Sequence, residues 1–206
     1  MAPRDGRCKV NMKDISLIGF MGCGKSSVGK ILATLLPECR LIDLDTYIEE
    51  KQGKNIPEIF NEYGEAAFRR MEREALEEIF SDKSRPRAIL SLGGGTVTSE
   101  QCRQLIRQHT DCFYLRATTD TLLDNLEGHS DGRPMLNPTQ PVEAQSTETS
   151  SEREALRRRI ESLMQTRSPQ YLATANHIID INGLSFTQIA EIIKEAVETN
   201  TLNIIR

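Results

Sequence analysis

The chain has 206 residues, a formal net charge of −4 and a pI near 5.5, so no global basic field suits it to nucleic acid or an anionic membrane. Aromatic residues make up 5% and tryptophan is absent, which argues against a base-stacking surface. At 38% apolar residues the length suits one domain with a buried core, and no apolar run is long enough to cross a bilayer.

The head, residues 1–13, has no apolar centre for a signal peptide and reads as a disordered extension, with Met12 an alternative start. A single domain is expected over 14–200. The cysteines are Cys8, Cys23, Cys39, Cys102 and Cys112. Without CxxC pairs or Cys/His clusters they read as reduced thiols of a cytoplasmic protein, not as a disulfide frame or zinc site.

The first element is the apolar run "ISLIG" (15–19), which suits a strand buried on both faces. A helix follows, with Val28, Ile31, Leu32, Leu35 and Leu36 on one face and a stop near Pro37. "RLIDLD" (40–45) is a second strand ending in two carboxylates. Asn55 to Phe80 has helical periodicity, broken or bent at Gly64. "AILSL" (88–92) is the third strand and runs into "GGG". A helix over 100–108 leads to the fourth strand, "CFYLRA" (112–117), and to the helix "TDTLLDNLE". Residues 129–150 are rich in Ser, Thr, Pro and Gln and read as a mobile loop. A helix capped by Ser151 and Glu154 is expected to stop before Pro169. "HIIDI" (177–181) is strand five, and Ser185 with Gln188 caps the last helix. Strands alternating with helices imply an α/β fold, a parallel sheet covered on both faces.

The chemistry is concentrated in "GFMGCGKS" (19–26), which satisfies G-x-x-x-x-G-K-[ST] between a strand and a helix. Gly22 and Gly24 let successive N–H groups of the loop, through Cys23 and on to Ser26 and Ser27, curl around an anion. The helix starting near Lys25 adds its positive end. Lys25 would reach the β- and γ-phosphates, and the Ser26 hydroxyl would hold Mg²⁺. Cys23 reads as a small residue inside the loop, where oxidation of the thiol would block nucleotide entry. A nucleotide site alone leaves switches, motors and small-molecule kinases open.

The P-loop, "LIDLD", "FRRMERE", "LSLGGGTV", "GRPML" and "RSPQY", in that order, resemble shikimate kinase over about residues 15–193. The resemblance implies a three-layer P-loop NTPase fold with five parallel strands in the order 2-3-1-4-5 and a mobile lid at 129–150. It further implies Mg²⁺ as cofactor, ATP and shikimate as substrates, and phosphate transfer to the 3-hydroxyl of shikimate by a monomer that needs neither membrane nor nucleic acid. By the same resemblance Asp43 sits near the water shell of the metal, and Asp45 orients the attacking hydroxyl and takes its proton. The plainer alternative is a solvated strand end with Asp45 capping the next helix. Arg69 and Arg167 would clamp the substrate carboxylate, since two parallel N–H donors fit two carboxylate oxygens. Their plainer roles are a surface pair of Arg69 with Glu65 and a helix-end charge at Arg167. Gly94, flanked by Gly93 and Gly95, would meet shikimate through backbone N–H. Arg133 would close over the γ-phosphate from the lid.

Ser91 stands where many P-loop proteins have an aspartate for the metal, which leaves that contact to Asp43. Family members carry an arginine before the lid to pack against adenine; Asn125, Leu126, Glu127 and His129 occupy this stretch instead. Arg116 or the loop at Asn182–Gly183 is expected to substitute, with His129 a hinge residue of an unusually long lid. The rival readings are a kinase of another hydroxy acid, such as gluconate, and a nucleotide-binding regulatory module without catalysis.

Overall fold

The structure is a computed structural model that describes residues 13–126 and 150–199, the side chains of Ser150 and Ser151 excepted. The expected N-terminal extension, the lid with His129 and Arg133, and the Ser151–Glu154 capping box lie outside the described residues.

Five parallel strands form one sheet in the order β2-β3-β1-β4-β5: β1 (Asp14–Ile18), β2 (Arg40–Asp43), β3 (Ala88–Ser91), β4 (Thr110–Arg116) and β5 (His177–Asp180). The central strand is deeply buried: Ile15, Leu17 and Ile18 of β1 have no solvent exposure. Successive side chains point to opposite faces, so β1 feeds two cores. Ile15 and Leu17 pack with α1 (Lys25–Leu35) and α7 (Phe186–Thr199), through Val28, Leu32, Ile189 and Ile193. Ile18 joins the opposite core with α3 (Ile56–Ser81), α4 (Glu100–His109) and α6 (Ser150–Thr174), through Leu76, Ile106 and Tyr171. Ser16, the polar member of β1, is paired at Oγ with Thr110 Oγ1 at 2.7 Å, so no buried hydroxyl is orphaned. The connection from α4 to β4 is immediate, and α5 (Thr119–Leu126) follows β4.

Two boundaries beside the sheet edge differ from the sequence expectation in ways that matter for the site. The second strand ends at Asp43, and Leu44 opens a helix, α2 (Leu44–Gln52), so Asp45 lies in its first turn. The cap of that helix is Asp43, whose Oδ1 accepts from the N–H groups of Asp45 (3.2 Å) and Thr46 (3.4 Å). The capping role once open to Asp45 therefore belongs to its neighbour, and Asp45 is left to face the sheet edge. The second difference is α6, which continues through Pro169 to Thr174. A proline inside a helix costs about 3 kcal/mol. Here the extension buries Tyr171 completely and stacks it on Tyr114 with centroids 4.9 Å apart, which offsets that cost. Gly64 does bend α3, at φ 75° and ψ 170°.

The last helix is capped as its sequence implies: the Ser185 N–H donates to Gln188 Oε1 at 2.9 Å and the Gln188 N–H to Ser185 Oγ at 3.3 Å. Ser185→Ala removes one arm of that exchange. It should lower unfolding free energy by about 0.5–2 kcal/mol at unchanged m-value in urea.

Candidate active site

In an open parallel sheet the loops at the carboxyl ends of the strands meet at one edge. Here the loops after β1, β2 and β3 enclose a cavity of about 570 Å³ lined by the P-loop, Asp43, Asp45, Arg69, Glu72, the three glycines 93–95 and Arg167.

The P-loop wall follows from its glycines. Gly24 is the N-cap of α1 in the left-handed region, φ 87°, and a Cβ there would meet the Phe186 ring at 2.5 Å. Lys25 is nearly buried. Its Nζ donates to the carbonyls of Gly19 (2.8 Å) and Phe20 (3.0 Å) and to Cys23 Sγ at 3.7 Å, so all three ammonium donors are engaged and a ligand would displace the weak sulfur contact first. Gly22, Gly24, Ser26 and Ser27 face the cavity. Cys23 does not: its side chain is fully buried and its N–H donates to the Phe20 carbonyl at 3.2 Å. It shapes the loop from behind.

At the mouth of α1 the Ser26 hydroxyl donates to Asp43 Oδ2 at 2.7 Å and lies 3.2 Å from Ser91 Oγ. No group of three or more His, Cys, Asp or Glu able to hold a metal exists among the described residues. What converges is a hydroxyl and a carboxylate, both hard oxygen donors. That set fits Mg²⁺, which keeps several waters and needs only one or two protein ligands beside phosphate oxygens.

Opposite the P-loop stands the charged half of the cavity. Arg69 Nη1 donates to Glu72 Oε2 at 2.7 Å and Nη2 to Glu65 Oε1 at 2.9 Å. The helix pair with Glu65 is therefore present, and a buried carboxylate backs the same guanidinium. Glu72 has no solvent exposure, and its Oε1 accepts from Thr96 Oγ1. Burial pushes its pKa up, opposed by the Arg69 charge and by the Thr96 hydrogen bond. Arg167, 3% exposed, lies 5.9 Å from the centroid of the Phe20 ring. Burial lowers its pKa, and the like charge of Arg69 acts in the same sense. The two cations thus face a common space, and each keeps a buried donor without a partner, Arg69 Nε and Arg167 Nη1. Such donors call for an anion.

The three glycines have a common explanation in close approach. A Cβ on Gly93 would lie 2.9 Å from Asp45 Oδ1 and 3.0 Å from Glu72 Oε1; one on Gly95 would overlap Arg69 Nη2 at 2.2 Å; one on Gly94 would press the Met21 N–H at 3.1 Å. Asp45 is half-buried in this setting. Desolvation, then the negative charges of Glu72 and Asp43, push its pKa up to about 7, with Lys25 opposing.

The family model described as shikimate kinase matches residues 21–198. The chain belongs to the shikimate kinase family. Its activity is accordingly that of an ATP-dependent shikimate kinase. A shikimate kinase of Thermodesulfovibrio yellowstonii is 36% identical over 89% of this chain and 95% of its own, and one of Thermus thermophilus is 34% identical over 89% and 88%. Among solved structures, the shikimate kinase of Acinetobacter baumannii in complex with shikimate aligns at TM-score 0.76 and 30% identity, covering 93% of this chain and 96% of that one.

Two sequence expectations about the nucleotide base meet other partners. Arg116 is engaged by Asp180 through both its Nε and its Nη2, the latter at 2.6 Å. Asn182 Oδ1 accepts from the Thr118 N–H and the Thr121 hydroxyl, both at 2.9 Å. Asn125, at the family's arginine stretch, donates through Nδ2 to the Gly22 carbonyl at 2.9 Å. The exposed ring beside the P-loop is Phe186, 40% accessible, which lines both the main cavity and the depression next to it.

Glu72 and Phe186 were not singled out from sequence. Glu72 sits three residues after Arg69, a spacing that puts both on one helical face, but charged neighbours are so frequent on helices that Glu65 was the partner weighed. Removing Glu72 takes away the buried carboxylate of the Arg69 guanidinium and leaves only the exposed Glu65 as its partner. Glu72→Ala should destabilise the fold by about 3–5 kcal/mol, measured by urea unfolding, whereas Glu65→Ala, on the exposed side, should change it by under about 0.5 kcal/mol.

Proposed function

We infer that the chain moves the γ-phosphoryl group of ATP to the 3-hydroxyl of shikimate as a cytoplasmic monomer, with the following division of labour. The N–H groups of Gly22, Gly24, Lys25, Ser26 and Ser27, with the Lys25 ammonium, hold the phosphates. Arg133 joins them on the γ-phosphate, a role that rests on its position in the sequence. Ser26 directly and Asp43 through water are the ligands for Mg²⁺, which when bound screens the phosphate charge. The base of the nucleotide lies against Phe186, one aromatic face taking over from the missing arginine.

Arg69 and Arg167 grip the carboxylate of the acceptor and Gly94 meets it from the backbone, with Gly93 and Gly95 giving room. This leaves the hydroxyl to be phosphorylated beside Asp45. A carboxylate raised to about 7 is a better proton acceptor than an ordinary one and is still ionised in half the molecules at neutral pH. Most of the rate enhancement then comes from placing acceptor and phosphoryl group in line and neutralising charge, since phosphoryl transfer asks for little covalent help. The observation that carries the reading is the pair of buried, unpartnered guanidinium donors sharing a cavity with a P-loop. An acid with hydroxyl groups satisfies both halves.

A coupled assay of ADP release tests the assignment. Release should depend on shikimate and not on gluconate. Arg69→Ala should raise the KM for shikimate by about one to two orders of magnitude, the loss of a charge-assisted hydrogen-bond pair worth about 1.5–3 kcal/mol, and leave the KM for ATP within about twofold. An unchanged shikimate KM would overturn the clamp.

The proton-acceptor role has its own signature. Because the folded pKa of Asp45 is raised, the active ionised form is lost as pH falls through about 7. The kcat/KM for shikimate should therefore decline about tenfold per unit below that point, and Asp45→Asn should abolish both the limb and most of the activity. A profile flat down to pH 5 would remove Asp45 from this role.

A further inference from the structure

We propose that Tyr171 is a positioning residue for the acceptor: its hydroxyl ties the glycine loop after β3 to α6, the helix that carries Arg167, so that loop and guanidinium arrive at the acceptor's carboxylate in register. The proposal rests on the acceptor reading above.

Tyr171 is completely buried, and its hydroxyl donates to the Gly94 carbonyl across the cavity floor. Arg167 lies one turn earlier on the same helix, α6, close enough for its charge to act on the phenol. A phenol offers one donor, and here the Gly94 carbonyl takes it. Burial pushes the phenol's pKa up and the nearby Arg167 charge opposes this, and the hydroxyl stays protonated as the donor that the Gly94 carbonyl requires.

The peptide between Gly94 and Gly95 is planar and trans. Holding its carbonyl toward α6 turns the Gly95 N–H to the opposite side, and a Cβ on Gly95 would run into the Arg69 guanidinium. Glycine has no Cβ to restrict the dihedrals of this loop, so the direction of that peptide must be set from outside. Tyr171 sets it, from the helix that also carries Arg167. The ring is held in turn by its stack on Tyr114, which fixes the hydroxyl to the sheet. This also accounts for α6 continuing past Pro169: the helix has to reach Tyr171 in the same geometry that presents Arg167.

The test is Tyr171→Phe, which keeps the stacked ring and removes one oxygen, a change that the stability of a domain of this size tolerates. Tyr114→Phe removes a neighbouring hydroxyl from the same stack and is the control. Steady-state constants for both substrates and thermal melting are measured on the full chain. Tyr171→Phe should raise the KM for shikimate about five- to tenfold, the effect of one hydrogen bond, with the KM for ATP within about twofold and kcat lowered less than kcat/KM. Tyr114→Phe should leave both constants within about twofold. A shikimate KM unchanged in Tyr171→Phe overturns the proposal, and so does an equal rise in both KM values, which marks a general loosening. A wild-type chain with no shikimate-dependent ADP release would sink the acceptor reading instead.

Discussion

Burying a guanidinium without a counter-charge is costly, and the cavity at the sheet edge buries two. Arg69 recovers part of that energy from Glu72 and Glu65; Arg167 leans on the Phe20 ring. Each keeps a donor in reserve. The rest of the site can be read as the means of sustaining this imbalance. Glu72 is held by Arg69 and by the hydrogen bond from Thr96. Arg167, by contrast, has no carboxylate partner among the described residues, and an acidic acceptor would supply one on arrival.

The topology makes this possible with short connections. With β1 flanked by β3 and β4, and β2 outside β3, the loops after β1, β2 and β3 lie side by side. The P-loop follows the first, Asp43 and Asp45 follow the second, and the glycine loop follows the third. Asp43 and Asp45 are turned apart by a helix that starts at Leu44: one carboxylate caps it and reaches Ser26, the other turns to Gly93 and Glu72.

Much of this was legible in the chain. The P-loop declares itself because an anion cradle needs glycines, a lysine and a hydroxyl at fixed spacing, and the alternation of strand and helix follows from apolar periodicity. The parts that escaped depend on long-range packing. No local rule shows that α6 survives Pro169, since the stabilising partner of Tyr171 is Tyr114 on another strand. Nor does local sequence show that Arg116 is tied to Asp180 across β4 and β5. Glu72 was hidden for a different reason: its importance lies in complete burial, and a glutamate on a charged helix looks exposed.

The bend at Gly64 makes α3 two rods, not one. Ile56 and Phe60, which face the cavity with their apolar side chains, belong to the first rod, which is anchored to α2 where the Ile56 N–H meets Glu49 Oε1 at 2.9 Å. Phe68, Arg69 and Glu72 belong to the second, sunk into the core. The wall that would fit the ring of the acceptor and the hand that would hold its acid group are therefore carried on separate levers. Lineages drifting in the first rod could reshape which ring is admitted without retuning the charge balance maintained by the second.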